Sequence, residues 1–160
     1  MEIKYHPIGT IHTPHTSLTG MPIQPSSAQG IKGQIEIEER YAEGLQDLEG
    51  FSHIYLIYHL HKARPHKLLV KPFLENKLRG LFATRAPSRP NPIGISVVRL
   101  ISIEGATLHV ENIDILDGTP LLDIKPYVSE MNAVKNVRIG WLENHRREID
   151  NKQSDNRFQN

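Results

Sequence analysis

At 160 residues the chain has the length of one domain, enough to bury a proper core, and its 38% hydrophobic and 23% charged content is that of an ordinary globular protein. No run approaches the roughly 18 apolar residues of a membrane span, and the start, Met1-Glu2-Ile3-Lys4, lacks a signal peptide's apolar region. The absence of cysteine excludes disulfides, thiolate metal sites and a cysteine nucleophile, which fits a cytoplasmic setting without membrane contact.

The net charge of +1 hides a segregation. Residues 60–99 carry Lys62, Arg64, Lys67, Lys71, Lys77, Arg79, Arg85, Arg89 and Arg99 against the single acid Glu75, so this segment holds +8 and the remainder −7. Two readings fit. The segment is a face that recognises an anionic partner, or a solvated surface whose cations meet Glu36, Glu38, Glu39 and Glu43 in space.

Along the chain, residues 8–12 suit a short strand. Ile31, Gly33, Ile35 and Ile37 alternate with Lys32, Gln34, Glu36 and Glu38, the period of a strand with one buried face. Residues 40–48 form the one helical candidate, weakened by Gly44. The dense apolar and aromatic run at 51–60 reads as a central strand. Short strands are expected at 68–70 and 80–83. Residues 97–103 and 107–113 flank Glu104-Gly105-Ala106 as a hairpin, and 121–124 is a last short strand. Many short strands and few helices predict an all-β fold, a barrel or sandwich. Residues 143–160 are nearly devoid of core formers and read as a polar tail or short surface helix after a barrel domain at 1–142.

Between the expected strands lies Thr84-Arg85-Ala86-Pro87-Ser88-Arg89-Pro90-Asn91-Pro92-Ile93-Gly94. Each proline fixes its own φ and pushes the preceding residue toward extended geometry, so Ala86, Arg89 and Asn91 are restricted before any ligand arrives. The loop is built to present arginines. Together with Gly80-Leu81-Phe82-Ala83 before it, this stretch resembles the signature of the TsaA-like (TrmO) family, which binds S-adenosylmethionine. Three more blocks match in order: Pro7-Ile8-Gly9-Thr10-Ile11, Leu48-Glu49-Gly50-Phe51-Ser52-His53-Ile54, and Asp114-Ile115-Leu116-Asp117-Gly118-Thr119-Pro120-Leu121-Leu122-Asp123-Ile124-Lys125-Pro126-Tyr127. The likeness extends over about residues 3 to 142.

The resemblance implies a single β-barrel with a few short helices, a homodimer, and methylation of N6 on a threonylcarbamoyl-bearing adenosine beside the tRNA anticodon. It implies cofactor contacts at Pro25, Ser26, Ser27, His61, Lys62, Arg85, Val97, Asp114, Ile115, Leu116 and Asp117. Arg89 and Asn91 are candidates for holding the modified base, and Lys62, Arg64, Lys67, Lys77 and Arg79 for contacting RNA phosphates. The residues name no general base. Longer members carry a further C-terminal domain, where this chain has its polar tail.

Simpler roles stand beside these. Arg85 could clamp a buried carboxylate such as Asp114 or Asp123, and Asp117 could bond its own turn. His59 and His61 share a strand face, yet no third ligand at suggestive spacing supports a metal site. Ser52 and His53, as strand neighbours, would point to opposite faces, against a hydrolytic pair. Neither a dinucleotide-type nor a phosphate-binding glycine motif is present, so a methyl donor must be held outside the Rossmann framework. A non-catalytic S-adenosylmethionine-binding module and a small-molecule methyltransferase remain the competing functions.

Overall fold

The computed structural model describes residues 1–23, 25–149, 152–155 and 157. Its strands are β1 (Gly9–His12), β2 (Lys32–Ile37), β3 (His53–His59), β4 (Leu69–Val70), β5 (Arg79–Gly80), β6 (Ile93–Glu104), β7 (Thr107–Glu111) and β8 (Thr119–Pro126). Six of them close an antiparallel barrel in the order β1-β2-β7-β6-β3-β8, while β4 and β5 pair as a separate ribbon. Closure is made by β1 against β8, with Gly9 opposite Leu121 and Ile11 opposite Thr119. A closed barrel exposes no unpaired strand edge.

Strict alternation builds the interior. Ile35 and Ile37 of β2 point inward while Gln34 and Glu36 stay wet. Ile54, Leu56 and Tyr58 of β3, Val98 and Leu100 of β6, and Leu108 and Val110 of β7 fill the same space with Ile11, Ile113, Ile115 and Leu121. Each such aliphatic side chain contributes roughly 1.5–3 kcal/mol when fully buried, and side chains alone fill a barrel this small. Gly105, at φ +61°, makes the tight turn between β6 and β7.

Two expectations change. Of the segment at 80–83 only Gly80 is in a strand, as the end of β5, and Leu81–Ala83 is a 3₁₀ turn. Leu81 is drawn into a small satellite core with Val70 and Ala86, and its carbonyl accepts from both the Thr84 amide at 3.0 Å and the Thr84 hydroxyl at 2.7 Å. After the Leu81 amide bonds the Leu68 carbonyl at 2.8 Å, these bonds turn the chain back on itself and the β4–β5 ladder ends. The helical candidate at 40–48 becomes two 3₁₀ turns, Glu39–Leu45 and Leu48–Gly50, separated by Asp47 at φ +66°. α1 (Ser129–Asn132) is a single turn.

The described part of the polar C-terminal segment folds back onto the body through backbone bonds that composition does not reveal. The Ser154 amide donates to the Met21 carbonyl at 2.9 Å, and the Gly20 amide donates to the Ser154 carbonyl at 3.0 Å. Trp141 Nε1 donates to the Ala83 carbonyl at 2.8 Å.

One contact fixes how β3 and β6 meet. Gly94 lies opposite Tyr58, and a Cβ at Gly94 would stand 2.2 Å from the Tyr58 ring. Only glycine lets the ring lie flat on the neighbouring strand. Gly94→Ala should therefore cost about 1–3 kcal/mol, the usual penalty of overpacking. Gly44→Ala, with open space around its Cβ position, should leave stability within roughly 0.5 kcal/mol, as surface changes do. Urea unfolding of the two variants checks the contrast, and equal stabilities would contradict it.

Candidate functional site

Where β3 ends, β7 ends and β6 and β8 begin, the chain encloses a cavity of about 690 Å³, well inside the range of small-molecule sites. Tyr58, His61, Lys62, Arg85, Arg89, Asp114, Thr119 and Asp155 are among its polar lining, and Leu18, Met21, Leu60, Ile115, Leu116 and Leu142 make much of its apolar wall.

Its floor is a directional hydrogen-bond chain. The Ser96 hydroxyl, 3% exposed, donates to Asp114 Oδ1 at 2.7 Å. Its single hydrogen is then used, so Tyr58 Oη at 2.9 Å is the donor to Ser96. Burial raises the Asp114 carboxyl above the ordinary range, against the Ser96 hydrogen bond and the charges of Arg85 and His15. Burial, followed by the nearby Asp114 charge, raises the Tyr58 phenol. A carboxylate held in so apolar a place is costly to the fold and suited to a cationic group.

Arg85 lines the same cavity. It donates from Nη2 to the Ile95 carbonyl at 3.0 Å and does not clamp a buried acid. Asp114 takes its bond from Ser96, and Asp123 pairs with Lys125 at 2.8 Å. The other N–H groups of its planar fork suit a carboxylate.

His61 has a defined tautomer. Thr119 Oγ1 donates to the Leu116 carbonyl at 2.6 Å, so at 3.3 Å it accepts from His61 Nδ1. Nε2 is left as the ring's acceptor. Burial, then the charges of Lys62 and His59, lowers the His61 pKa and keeps the ring neutral near pH 7.

Not every expected residue reaches the cavity. Asp117 is a staple: its Oδ1 accepts from the Thr13 amide at 3.0 Å, while Thr13 Oγ1 donates to the Ile115 carbonyl at 2.7 Å and holds the 113–117 loop against β1. Its own turn is not its partner. Val97 falls between inward Ser96 and Val98, on the outer face of the barrel. Ser26 and Ser27 sit in the Pro25–Ala28 turn beside the cavity, where Ser27 Oγ donates to the Ile149 carbonyl at 3.5 Å. Asn91 is exposed outside the wall.

Arg89 lines the cavity but is engaged in the loop itself, donating from Nη1 to the Thr84 carbonyl at 2.9 Å and the Ala86 carbonyl at 3.2 Å. Ser52 Oγ and His53 Nδ1 do meet, at 2.9 Å, because Ser52 precedes β3 and escapes its alternation. Among the described residues no three His, Asp or Glu side chains gather as a metal site.

The basic segment divides. Arg64, Lys67 and Lys77 are exposed and Lys62 reaches the cavity. Arg79 is committed to Glu75 and lies 5.6 Å from the Trp141 ring centroid. Of the four acids offered as counterions, Glu36 meets His12 at 3.5 Å and Glu38 meets Arg40 at 2.7 Å.

Sequence reasoning missed Tyr58, Ser96, Thr119 and the C-terminal wall of Trp141, Leu142, Ile149 and Ser154. Ser96 left a trace, a polar residue at an inward position of an apolar strand. The lone tryptophan in a polar segment was the other.

Residues 10–133 match the family described as the tRNA-methyltransferase O N-terminal domain. A probable S-adenosyl-L-methionine-binding protein of Pyrococcus abyssi is 53% identical over 156 residues, covering 98% of this chain and 85% of that protein. The human tRNA (adenine(37)-N6)-methyltransferase is 34% identical over 138 residues, covering 82% of this chain but 31% of the human one. The crystal structure of TrmO from Pseudomonas aeruginosa superposes with a TM-score of 0.74 at 39% identity, covering 88% of this chain and 63% of that one. The chain thus spans less than two thirds of the solved TrmO and about a third of the human protein. With the family match, the identities and the shared barrel in agreement, the chain belongs to the tRNA-methyltransferase O N-terminal domain family.

Proposed function

We propose that the chain is an S-adenosylmethionine-dependent tRNA methyltransferase acting at N6 of the threonylcarbamoyl-bearing adenosine beside the anticodon. The observation that carries this is that Arg85 and Asp114, a cation and an acid whose charges act on each other, line one largely apolar cavity in a barrel of this family. The donor set fits the cofactor: Arg85 for its carboxylate, Asp114 for a cationic group, and Leu60, Ile115 and Leu116 for the adenine. When bound, S-adenosylmethionine supplies a methyl group activated on a sulfonium.

The remaining work falls to the chain. The Tyr58–Ser96–Asp114 chain orients a carboxyl at the floor, because both hydroxyls spend their hydrogens toward it. The neutral His61 offers an acceptor, and the apolar wall keeps water away from the reacting atoms. Val97, Pro25, Ser26, Ser27 and Asp117 belong to the reading as supports of this shell, and Asn91 and Arg89 as parts of the loop that frames the base. Exposed Arg64, Lys67 and Lys77 suit tRNA phosphates. A homodimer, a cytoplasmic setting and a division into a barrel at 1–142 and a C-terminal segment at 143–160 complete the reading.

Asp114→Asn separates binding from stability. The folded-state pKa of Asp114 is raised, so its charge costs stability above that pKa and the cost vanishes as pH falls below the ordinary carboxylate range. The variant should melt higher than the parent at pH 7, with the difference closing in acid. Calorimetry should show S-adenosylmethionine binding weakened by about 1.5–3 kcal/mol, the worth of a charge-assisted bond. Unchanged affinity would contradict the assignment.

Binding of an anticodon stem-loop should weaken with salt at a log–log slope of about −0.7 to −0.9 per phosphate contact. Replacing Arg64, Lys67 and Lys77 together by Ala should flatten that slope by about two. A parent protein with no salt response would remove RNA and leave a cofactor-binding module.

A further inference from the structure

Phe82 is the most exposed aromatic ring at the cavity, at 74%, and neither the family's cofactor contacts nor the basic segment accounts for it. Its exposure is imposed. Leu81, 1% exposed, anchors the turn from below. The Leu81 amide donates to the Leu68 carbonyl at 2.8 Å, and the Thr84 amide returns to Leu81 at 3.0 Å. Trp141 then pins the Ala83 carbonyl. Phe82, between two fixed neighbours, can only face out.

The Arg89 guanidinium lies 5.7 Å from the Phe82 ring centroid, and Arg89 is held there by its bonds to the Thr84 and Ala86 carbonyls. A preset aromatic surface is thus bordered by a fixed cation at the lip of the site. We propose that Phe82 is the stacking platform for the substrate nucleobase, with Arg89 as its cationic border; this rests on the tRNA reading above. A nucleotide presents the complement of this lip, a π face to stack on the ring joined to a phosphate that meets the cation. A second copy of the chain seated there would bring Arg85, Arg89 and Lys62 against their own counterparts across a two-fold axis, where like charges oppose contact.

The test uses the full chain and an anticodon stem-loop carrying 2-aminopurine at the target adenosine. Saturating the parent with this hairpin should change the fluorescence as the base leaves its stack and meets the ring. Phe82→Ala, with its fold checked by circular dichroism, should bind the hairpin roughly fivefold or more weakly, the lower range of a base–aromatic stack, and lose the fluorescence change. Phe82→Trp should restore both. If Phe82→Ala binds the hairpin as the parent does with the same fluorescence, the platform is wrong while the tRNA reading stands. If the parent itself binds no hairpin, the tRNA reading fails and takes the platform with it. Loss of mass by Phe82→Ala in light scattering, with hairpin binding retained, would assign the ring to a contact between copies instead.

Discussion

The site depends on the face-to-backbone contact between Tyr58 and Gly94. Because a Cβ at Gly94 would overlap the ring, the glycine sets how closely β3 and β6 approach, and that approach places the Tyr58 hydroxyl on Ser96. Ser96 in turn delivers its hydrogen to Asp114, on the loop after β7. The Asp114 carboxyl, though on a loop, is thereby held from the strand pair β3–β6. The burial that raises its pKa is the same burial that would strengthen its attraction for a cation.

Around this fixed floor the rest of the cavity is assembled from segments with little periodic structure of their own. The proline-bound loop at 84–94 is stiffened twice, by its prolines and by Arg89 bonding back to it. The C-terminal segment adds a wall from outside the residues that match the family, with Trp141, Leu142, Ile149 and Ser154 all lining the cavity. The ion pair of Glu75 with Arg79 and the 3.5 Å approach of His145 Nε2 to Glu75 tie that wall to the β4–β5 ribbon region. These side chains are largely covered, and their contacts place the wall.

How far the sequence reaches can be seen in particular elements. β2 was legible from its period of two with one apolar face, and β3 from its dense apolar and aromatic run. The all-β barrel follows from the number and shortness of such runs. The 3₁₀ turn at Leu81–Ala83 was not legible, since its apolar residues read equally as a strand and only the Thr84 bonds to Leu81 decide the matter. At the site, Arg85, His61, Lys62 and Asp114 to Leu116 could be named from the family likeness, and the structure gathers them around one cavity. Asp117 and Val97 carry the same likeness yet point elsewhere, and Ser96 and Thr119 carry none. Hydrogen-bond direction across strands 18 to 58 residues apart in sequence has no local pattern to betray it.

The central claim is that this cavity serves methyl transfer to a tRNA base. Mass spectrometry of nucleosides from the tRNA of cells lacking the protein tests it most directly. The account predicts that the methyl group on threonylcarbamoyladenosine disappears and returns when the parent gene, but not the Asp114→Asn variant, is restored. An unchanged methylated nucleoside in the deleted cells would contradict it.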